Sequence, residues 1–127
     1  MAPVPKDANL LARQLKALAD ETRLQTVVLL ADHAELCVCD FEHALGVTQS
    51  KASRHLRYLR NAQLLDDRRE RVWIYYRLAD DLDPALQNIL TDLRRALDPE
   101  AVSALHARLQ GWLEVKTCGP GVPCALS

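Results

Sequence analysis

The chain has 127 residues, of which 49% are hydrophobic and 26% charged, and its formal net charge is −1. These values are typical of an ordinary globular protein with a single domain. No uncharged apolar run approaches the roughly 18 residues of a membrane span, and the N-terminus lacks the pattern of a signal peptide. We therefore expect a cytoplasmic protein whose four cysteines are reduced thiols or metal ligands.

The first part of the chain predicts two helices after a loose arm at residues 1–8. Between residues 9 and 19, leucines recur at helical spacing, at Leu11, Leu15 and Leu18. Asp20 is a favourable N-cap for the second helix, which carries its own apolar stripe.

A helix–turn–helix follows. The stretch "VCDFEHAL" predicts a third helix that ends at Gly46, a typical C-cap residue. Thr48 is the expected N-cap of a fourth helix. Ala52, Leu56 and Leu59 form the buried stripe of that helix, at positions i, i+4 and i+7.

The pattern then changes from helical spacing to a hairpin and back. "LLDDRRERVWIYYRL" has two short runs around a polar centre, and the second run is β-branched and aromatic, which predicts a hairpin. Residues 82–97 predict a fifth helix. Asp98-Pro99 begins a sixth, which we expect to reach about Glu114. Two glycines and two prolines within five residues exclude regular structure from the tail.

This order predicts a mainly α fold with a small β-hairpin, a winged helix-turn-helix spanning residues 9–114. Residues 1–8 form a flexible arm, and residues 115–127 form a flexible tail that contains cysteine. The first and fifth helices are more apolar than a domain of this size can easily bury. We therefore expect a homodimer that associates through these two helices.

One basic block stands out against the near-neutral total. Residues 48–77 hold eight Lys or Arg and three Asp or Glu, a balance of +5, so the rest of the chain carries −6. Such a block suits binding to a polyanion such as double-stranded DNA. Side chains on the fourth helix can read bases and hold phosphates, and arginines at the hairpin tip can reach the DNA backbone. The candidate residues are Thr48, Gln49, Ser50, Lys51, Ser53, Arg54, His55, Arg57, Arg68, Arg69 and Arg71.

Two cysteines one residue apart, Cys37 and Cys39, stand where the third helix begins. Residues at i and i+2 share a face in a strand, but they diverge by roughly 200° in a helix. Soft thiolates select soft ions. If both sulfurs bind one ion, we expect the start of the third helix to unwind or to stay extended. Ligation and an intact helix would then compete, and this competition would couple binding to the DNA-reading helix.

Two further cysteines, Cys118 and Cys124, flank "GPGVP" in the tail. One of them could complete an ion site with the first pair, from the same subunit or from its partner. The tail pair could also form a separate site, or its thiols could be incidental. His43 lies four residues after Cys39, and we interpret it as an ordinary polar residue rather than a zinc ligand.

The stretches "LADETRLQTVVLL", "ELCVCDFEHALGVTQSKASRHLRYLRNAQLL" and "DRRERVWIYYRL" resemble the ArsR/SmtB family of bacterial metal-responsive repressors. The resemblance covers residues 9–97. It implies a homodimer that represses its own operon and leaves DNA when metal binds. The "ELCVCD" form resembles the arsenic and antimony sensors, so the resemblance implies trivalent arsenic or antimony as inducer.

Three positions depart from the family pattern. Glu42 stands where such arsenic sensors commonly have a third cysteine, and Arg71 stands where the hairpin tip usually has glycine. The predicted fifth helix contains no histidine, so the aspartate/histidine pattern of the zinc sensors is missing. Cys118 and Cys124 are therefore candidates to supply the thiolate that is missing at Glu42, which makes the candidate ligands Cys37, Cys39, Cys118 and Cys124.

Two other functions stay open. One is a repressor of the same fold that responds to cadmium, lead or zinc with all four cysteines as ligands, although the N-terminal arm has no cysteine such as the cadmium/lead sensors use there. The other is a repressor that senses oxidants through its thiols. We expect no enzyme, because the sequence has no nucleophile–base set and no phosphate-binding loop.

Overall fold

A computed structural model describes residues 7–116, which form six helices and a three-stranded sheet. The helices are α1 (Ala8–Leu18), α2 (Glu21–Asp32), α3 (Val38–Leu45), α4 (Gln49–Asn61), α5 (Pro84–Ala96) and α6 (Pro99–Val115), and the strands are β1 (Leu36–Cys37), β2 (Leu65–Glu70) and β3 (Trp73–Leu78). No helix in this part of the chain is long and apolar enough to cross a membrane.

Local capping explains where the helices begin. The side chains of Asp20 and Thr48 accept hydrogen bonds from backbone N–H groups in the first turns of α2 and α4, as the sequence predicts. Asp83 and Asp98 cap α5 and α6 in the same way, each followed by proline at the first helical position. Gly46 ends α3 in the left-handed conformation, with φ of 66°.

The sheet contains one strand more than the sequence predicts. The hairpin β2–β3 forms as expected, but β3 also pairs with β1, so the strand order is β1-β3-β2. Glu70 pairs with Trp73, which leaves a two-residue turn at the hairpin tip. Arg71 adopts φ of 59° there, a conformation that usually favours glycine.

The two faces of the sheet serve different parts of the molecule. Leu36, Leu65 and Tyr76 point into the main core, together with Phe41 of α3 and Leu56 of α4. The opposite face carries a smaller group, which we call the aromatic–thiol cluster: Cys37, Cys39 and Tyr75, with Trp73 and Trp112 packed against them. The cysteine pair therefore lies outside the main core.

Helix α3 packs against both α4 and α6. The main core leaves much of α1 and α5 uncovered. Leu15 of α1 is 42% exposed, and Leu86 is the one buried residue of α5, while Ile89, Leu90, Leu93 and Leu97 are half-buried. These apolar surfaces are the ones that the sequence predicts for dimerisation.

Two glycines test how far backbone conformation alone limits stability. Gly46 has positive φ and Gly111 lies inside α6, and a Cβ atom at either site would meet nothing within 4 Å. We expect Gly46→Ala to lower the free energy of unfolding by about 1–2 kcal/mol, the cost of a left-handed L-residue. Gly111→Ala should raise it by about 0.5–1 kcal/mol, because alanine favours the helix. Urea denaturation of the two variants checks this; equal effects at both sites would contradict it.

Candidate metal centre and nucleic-acid interface

The side chains of Cys37 and Cys39 lie close together because Cys37 is in a strand and Cys39 is in a helix. Cys37 is extended, with φ of −90° and ψ of 168°, and pairs with Tyr75 in the sheet. Cys39 lies in the first turn of α3. The two sulfurs are 2.7 Å apart, and both residues are buried. Of the two arrangements expected from the sequence, the structure has the extended start: the change from strand to helix at Val38 brings the sulfurs together without unwinding of α3.

Asp40 organises this site, and sequence reasoning missed it. Its side chain is buried, and its Oδ2 accepts a 2.9 Å hydrogen bond from the backbone N–H of Cys37. Its Oδ1 accepts from Trp112 Nε1 at 2.9 Å and from Lys116 Nζ at 2.8 Å. The signal in the sequence was an acid at the third helical position, where capping-box side chains stand. Donor atoms of Cys37, Cys39 and Asp40 all lie within 4.8 Å of one another, which suits an ion.

The two thiols are not equivalent. The hydrogen bond from Cys39 lowers the pKa of Cys37, against the opposing effect of burial. The same hydrogen bond, together with burial, raises the pKa of Cys39. Lys116 adds positive charge nearby: burial opposes its charge, but the contact with Asp40 raises its pKa overall. The site therefore favours one thiolate, on Cys37, beside one ammonium group.

Helix α6 covers the cysteine pair with an aromatic stack. The ring of Trp112 lies 3.5 Å from that of His43, at an angle of 3°. Nδ1 of His43 is 2.9 Å from the carbonyl oxygen of Cys39, and His43 is not among the clustered donor residues. Neither is Glu42, which is half-buried and whose pKa is raised by burial. Cys118 and Cys124 lie outside the described residues.

The candidate DNA-reading residues of α4 fall into two groups. Gln49, Ser50, Ser53, Arg54 and Arg57 line one shallow depression on the surface. Thr48 and Lys51 are exposed beside it, although the Thr48 hydroxyl also accepts from Lys51 N–H.

His55, by contrast, turns toward α2. Its Nδ1 lies 3.4 Å from Nη1 of Arg23 and 4.0 Å from Oδ1 of Asp20, and burial lowers its pKa. It is half-buried and lies away from the surface depression.

The three hairpin arginines also differ from one another. Arg69 and Arg71 are exposed, and within residues 7–116 neither forms an ion pair. Arg68 is held by Glu35, has Glu70 Oε2 3.8 Å from its Nη1, and lies over the ring of Tyr75. Of the three candidate arginines near the hairpin tip, two are therefore unpaired within residues 7–116 and one is paired.

Comparison with known proteins adds a sequence family. Residues 20–67 match the family described as "Bacterial regulatory protein, arsR family". The Escherichia coli "Arsenical resistance operon repressor" is 45% identical over 94 residues, which cover 74% of this chain and 80% of that protein.

Solved structures share the fold. A homodimeric winged helix-turn-helix DNA-binding domain from Mycobacterium bovis superposes with a TM-score of 0.60 at 30% identity, covering 76% of this chain and 89% of that one. The AntR antimony-specific transcriptional repressor gives a TM-score of 0.60 at 31% identity, covering 77% and 85%.

The inequality of the thiols predicts a two-stage titration. In a Cys118→Ser/Cys124→Ser variant, thiolate absorbance near 240 nm should show one thiolate per chain forming below the ordinary cysteine pKa of about 8.5. The second should form only above that ordinary value, because Cys39 keeps its proton in a hydrogen bond to the Cys37 sulfur and is buried. Adding Cys39→Ala should return the titration of Cys37 toward its ordinary value. Two thiolates that form together would contradict this.

Proposed function

This chain belongs to the arsR family of bacterial regulatory proteins, and we propose that it is a homodimeric repressor released from its operator by trivalent arsenic or antimony. The observation that carries this proposal is the contact between the Cys37 and Cys39 sulfurs at the first turn of α3. That turn carries the thiol pair, and the helix that it begins, α3, packs directly on α4.

The DNA-binding half of the proposal rests on α4 and the hairpin. In a winged helix-turn-helix, the second helix of the motif lies in the major groove, where Arg and Gln side chains can bind base edges. Gln49, Arg54 and Arg57 are exposed together on α4. Arg69 and Arg71 suit contacts to phosphate beside that groove. His55 is the weakest candidate, because it packs toward α2.

The homodimer is supported by the uncovered apolar faces of α1 and α5. The solved structure from M. bovis is described as homodimeric and shares this fold. Packing α5 against a second copy would cover leucines that residues 7–116 leave partly exposed. A dimer would also place two α4 helices on one DNA duplex, as operators with two half-sites require.

The inducer is proposed from the donor atoms. Trivalent arsenic and antimony favour thiolates, and Cys37 and Cys39 supply two. The third could come from Cys118 or Cys124, from the same subunit or from its partner; both residues lie outside the described part of the chain.

The release of DNA would follow from the position of the ligands. Binding of an ion would fix the position of Cys39. It would also affect Asp40, whose carboxylate accepts a hydrogen bond from the backbone N–H of Cys37 at the start of α3. A shift of α3 would displace α4, because the two helices pack against each other and protein interiors are close-packed. A coupling of about 1–3 kcal/mol between inducer and DNA is typical of such linkage.

A second candidate inducer is a divalent ion such as cadmium, lead or zinc. Asp40 favours it, because two thiolates and one carboxylate form a mixed donor set that such ions accept. The two donor sets differ in their need for the tail: a trithiolate site needs Cys118 or Cys124, and the mixed site does not. A thiol-oxidation sensor is the remaining alternative, and it would respond to oxidant without any ion.

Removing a recognition arginine tests the DNA interface. We expect Arg54→Ala or Arg57→Ala to weaken operator binding by about 1–3 kcal/mol, roughly tenfold to a hundredfold, with the fold unchanged. Arg77→Ala is the matched control, because Arg77 is an exposed arginine of β3 that already pairs with Asp66 and Asp80. Fluorescence anisotropy with labelled operator measures the affinities. Equal losses in all three variants would indicate a general charge effect and contradict the assignment.

Serine substitutions test the inducer site. Cys37→Ser or Cys39→Ser should leave operator affinity near that of the unmodified protein and abolish release by arsenite or antimonite, because serine keeps the size but loses the soft sulfur. Mobility-shift titrations under reducing conditions measure both. Normal release after loss of both cysteines would defeat the proposed site.

Truncation after Lys116 separates the two donor sets. The truncated protein should keep its operator affinity but bind arsenite more weakly, while its response to cadmium should persist. If arsenite binds equally well without the tail, neither Cys118 nor Cys124 is a ligand. Isothermal titration calorimetry gives the affinity and stoichiometry for each ion.

A further inference from the structure

Arg68 of the hairpin is already bound to a carboxylate of this chain. Its Nε lies 3.1 and 3.0 Å from the two carboxylate oxygens of Glu35, and its Nη2 lies 2.5 Å from Oε1. Its guanidinium also lies 4.5 Å from the centroid of the Tyr75 ring. Arginine makes the same kind of bidentate contact with phosphate groups. Glu35 therefore occupies the surface of Arg68 that a phosphate would use.

The backbone holds Glu35 in this position. The next two residues, Leu36 and Cys37, pair with Tyr76 and Tyr75 of β3, and Tyr75 pairs on its other side with Arg68. Cys37, Tyr75 and Arg68 thus form one row across the sheet, with side chains on the same face. Glu35 directly precedes β1, whose backbone is already held by pairing with β3. Forming the ion pair with Arg68 therefore restricts mainly the two side chains.

The ion pair is also open to exchange. The side chains of Arg68 and Glu35 are 49% and 30% exposed. Exposed ion pairs contribute little to stability, so a phosphate can replace the carboxylate at small cost. Arg69 and Arg71 require no such exchange, because within residues 7–116 they have no ion-pair partner. Of the three candidate DNA-binding arginines near the hairpin tip, Arg68 is therefore the one whose contact with DNA would require a carboxylate to be displaced.

We propose that Glu35 competes with DNA phosphate for Arg68 and thereby limits the affinity of the protein for DNA. This inference rests on the proposed function as a DNA-binding repressor. It makes Glu35 a residue that sets affinity without itself contacting DNA. It also places the competing carboxylate two residues before Cys37, on the segment that carries the candidate inducer ligand.

The test is a double-mutant cycle on full-length protein. Glu35→Gln keeps the shape of the side chain but removes its charge, and should tighten binding to both operator and random duplex about two- to fivefold, the range expected for an exposed ion pair. In an Arg68→Gln background the same change should have no such effect. Asp80→Asn is the matched control: it removes one carboxylate from another hairpin arginine, Arg77, and should change affinity little.

The outcomes separate this inference from the proposed function. Tighter binding by Glu35→Gln that disappears in the Arg68→Gln background supports the competition. Unchanged or weaker binding overturns it, as does an equal gain with Arg68 absent or with Asp80→Asn, since each would indicate net charge alone. If the unmodified protein binds neither its operator nor random duplex, both the competition and the proposed function are contradicted.

Discussion

The carboxylate of Asp40 joins three parts of the chain that are distant in sequence. It caps the start of α3 through the N–H of Cys37, and it binds Trp112 and Lys116 near the end of α6. A buried carboxylate without partners would cost roughly several kcal/mol, so these contacts are a condition of the fold. They also fix the two sulfurs beside one ammonium group. The thiol site is thus built into the junction of β1, α3 and α6.

The position of this junction explains how a small ligand could act on DNA binding. Helix α3 packs against α6 on one side and against α4 on the other. The aromatic–thiol cluster lies on the sheet face away from the main core, so ligation there need not disturb the core. From the same junction, Tyr75 leads across the sheet to Arg68. The site is therefore linked to α4 through the packing of α3, and to the hairpin through Tyr75 and Arg68.

Local signals in the sequence predicted the helices well. N-caps at Asp20 and Thr48, the left-handed Gly46 and the buried stripe of α4 are each confirmed, because each depends on residues within a few positions. β1 was missed because its two residues are a strand only through pairing with β3. The contacts of Asp40 with Trp112 and Lys116 join residues 72 and 76 positions apart, which no local pattern reveals. The placement of His55 against Arg23 and the pairing of Arg68 with Glu35 have the same long-range origin.

The central claim is that ligand binding at the cysteine pair and release of DNA are one coupled event. Trp112 reports the first, because it packs against the pair and donates to Asp40. In a Trp73→Phe variant, tryptophan emission and the anisotropy of labelled operator can be followed together during titration with arsenite, antimonite, cadmium, lead and zinc. We predict that, for the true inducer, both signals change over the same concentration range and with the same stoichiometry. Release of operator without a change in Trp112 emission, or the reverse, would contradict the account.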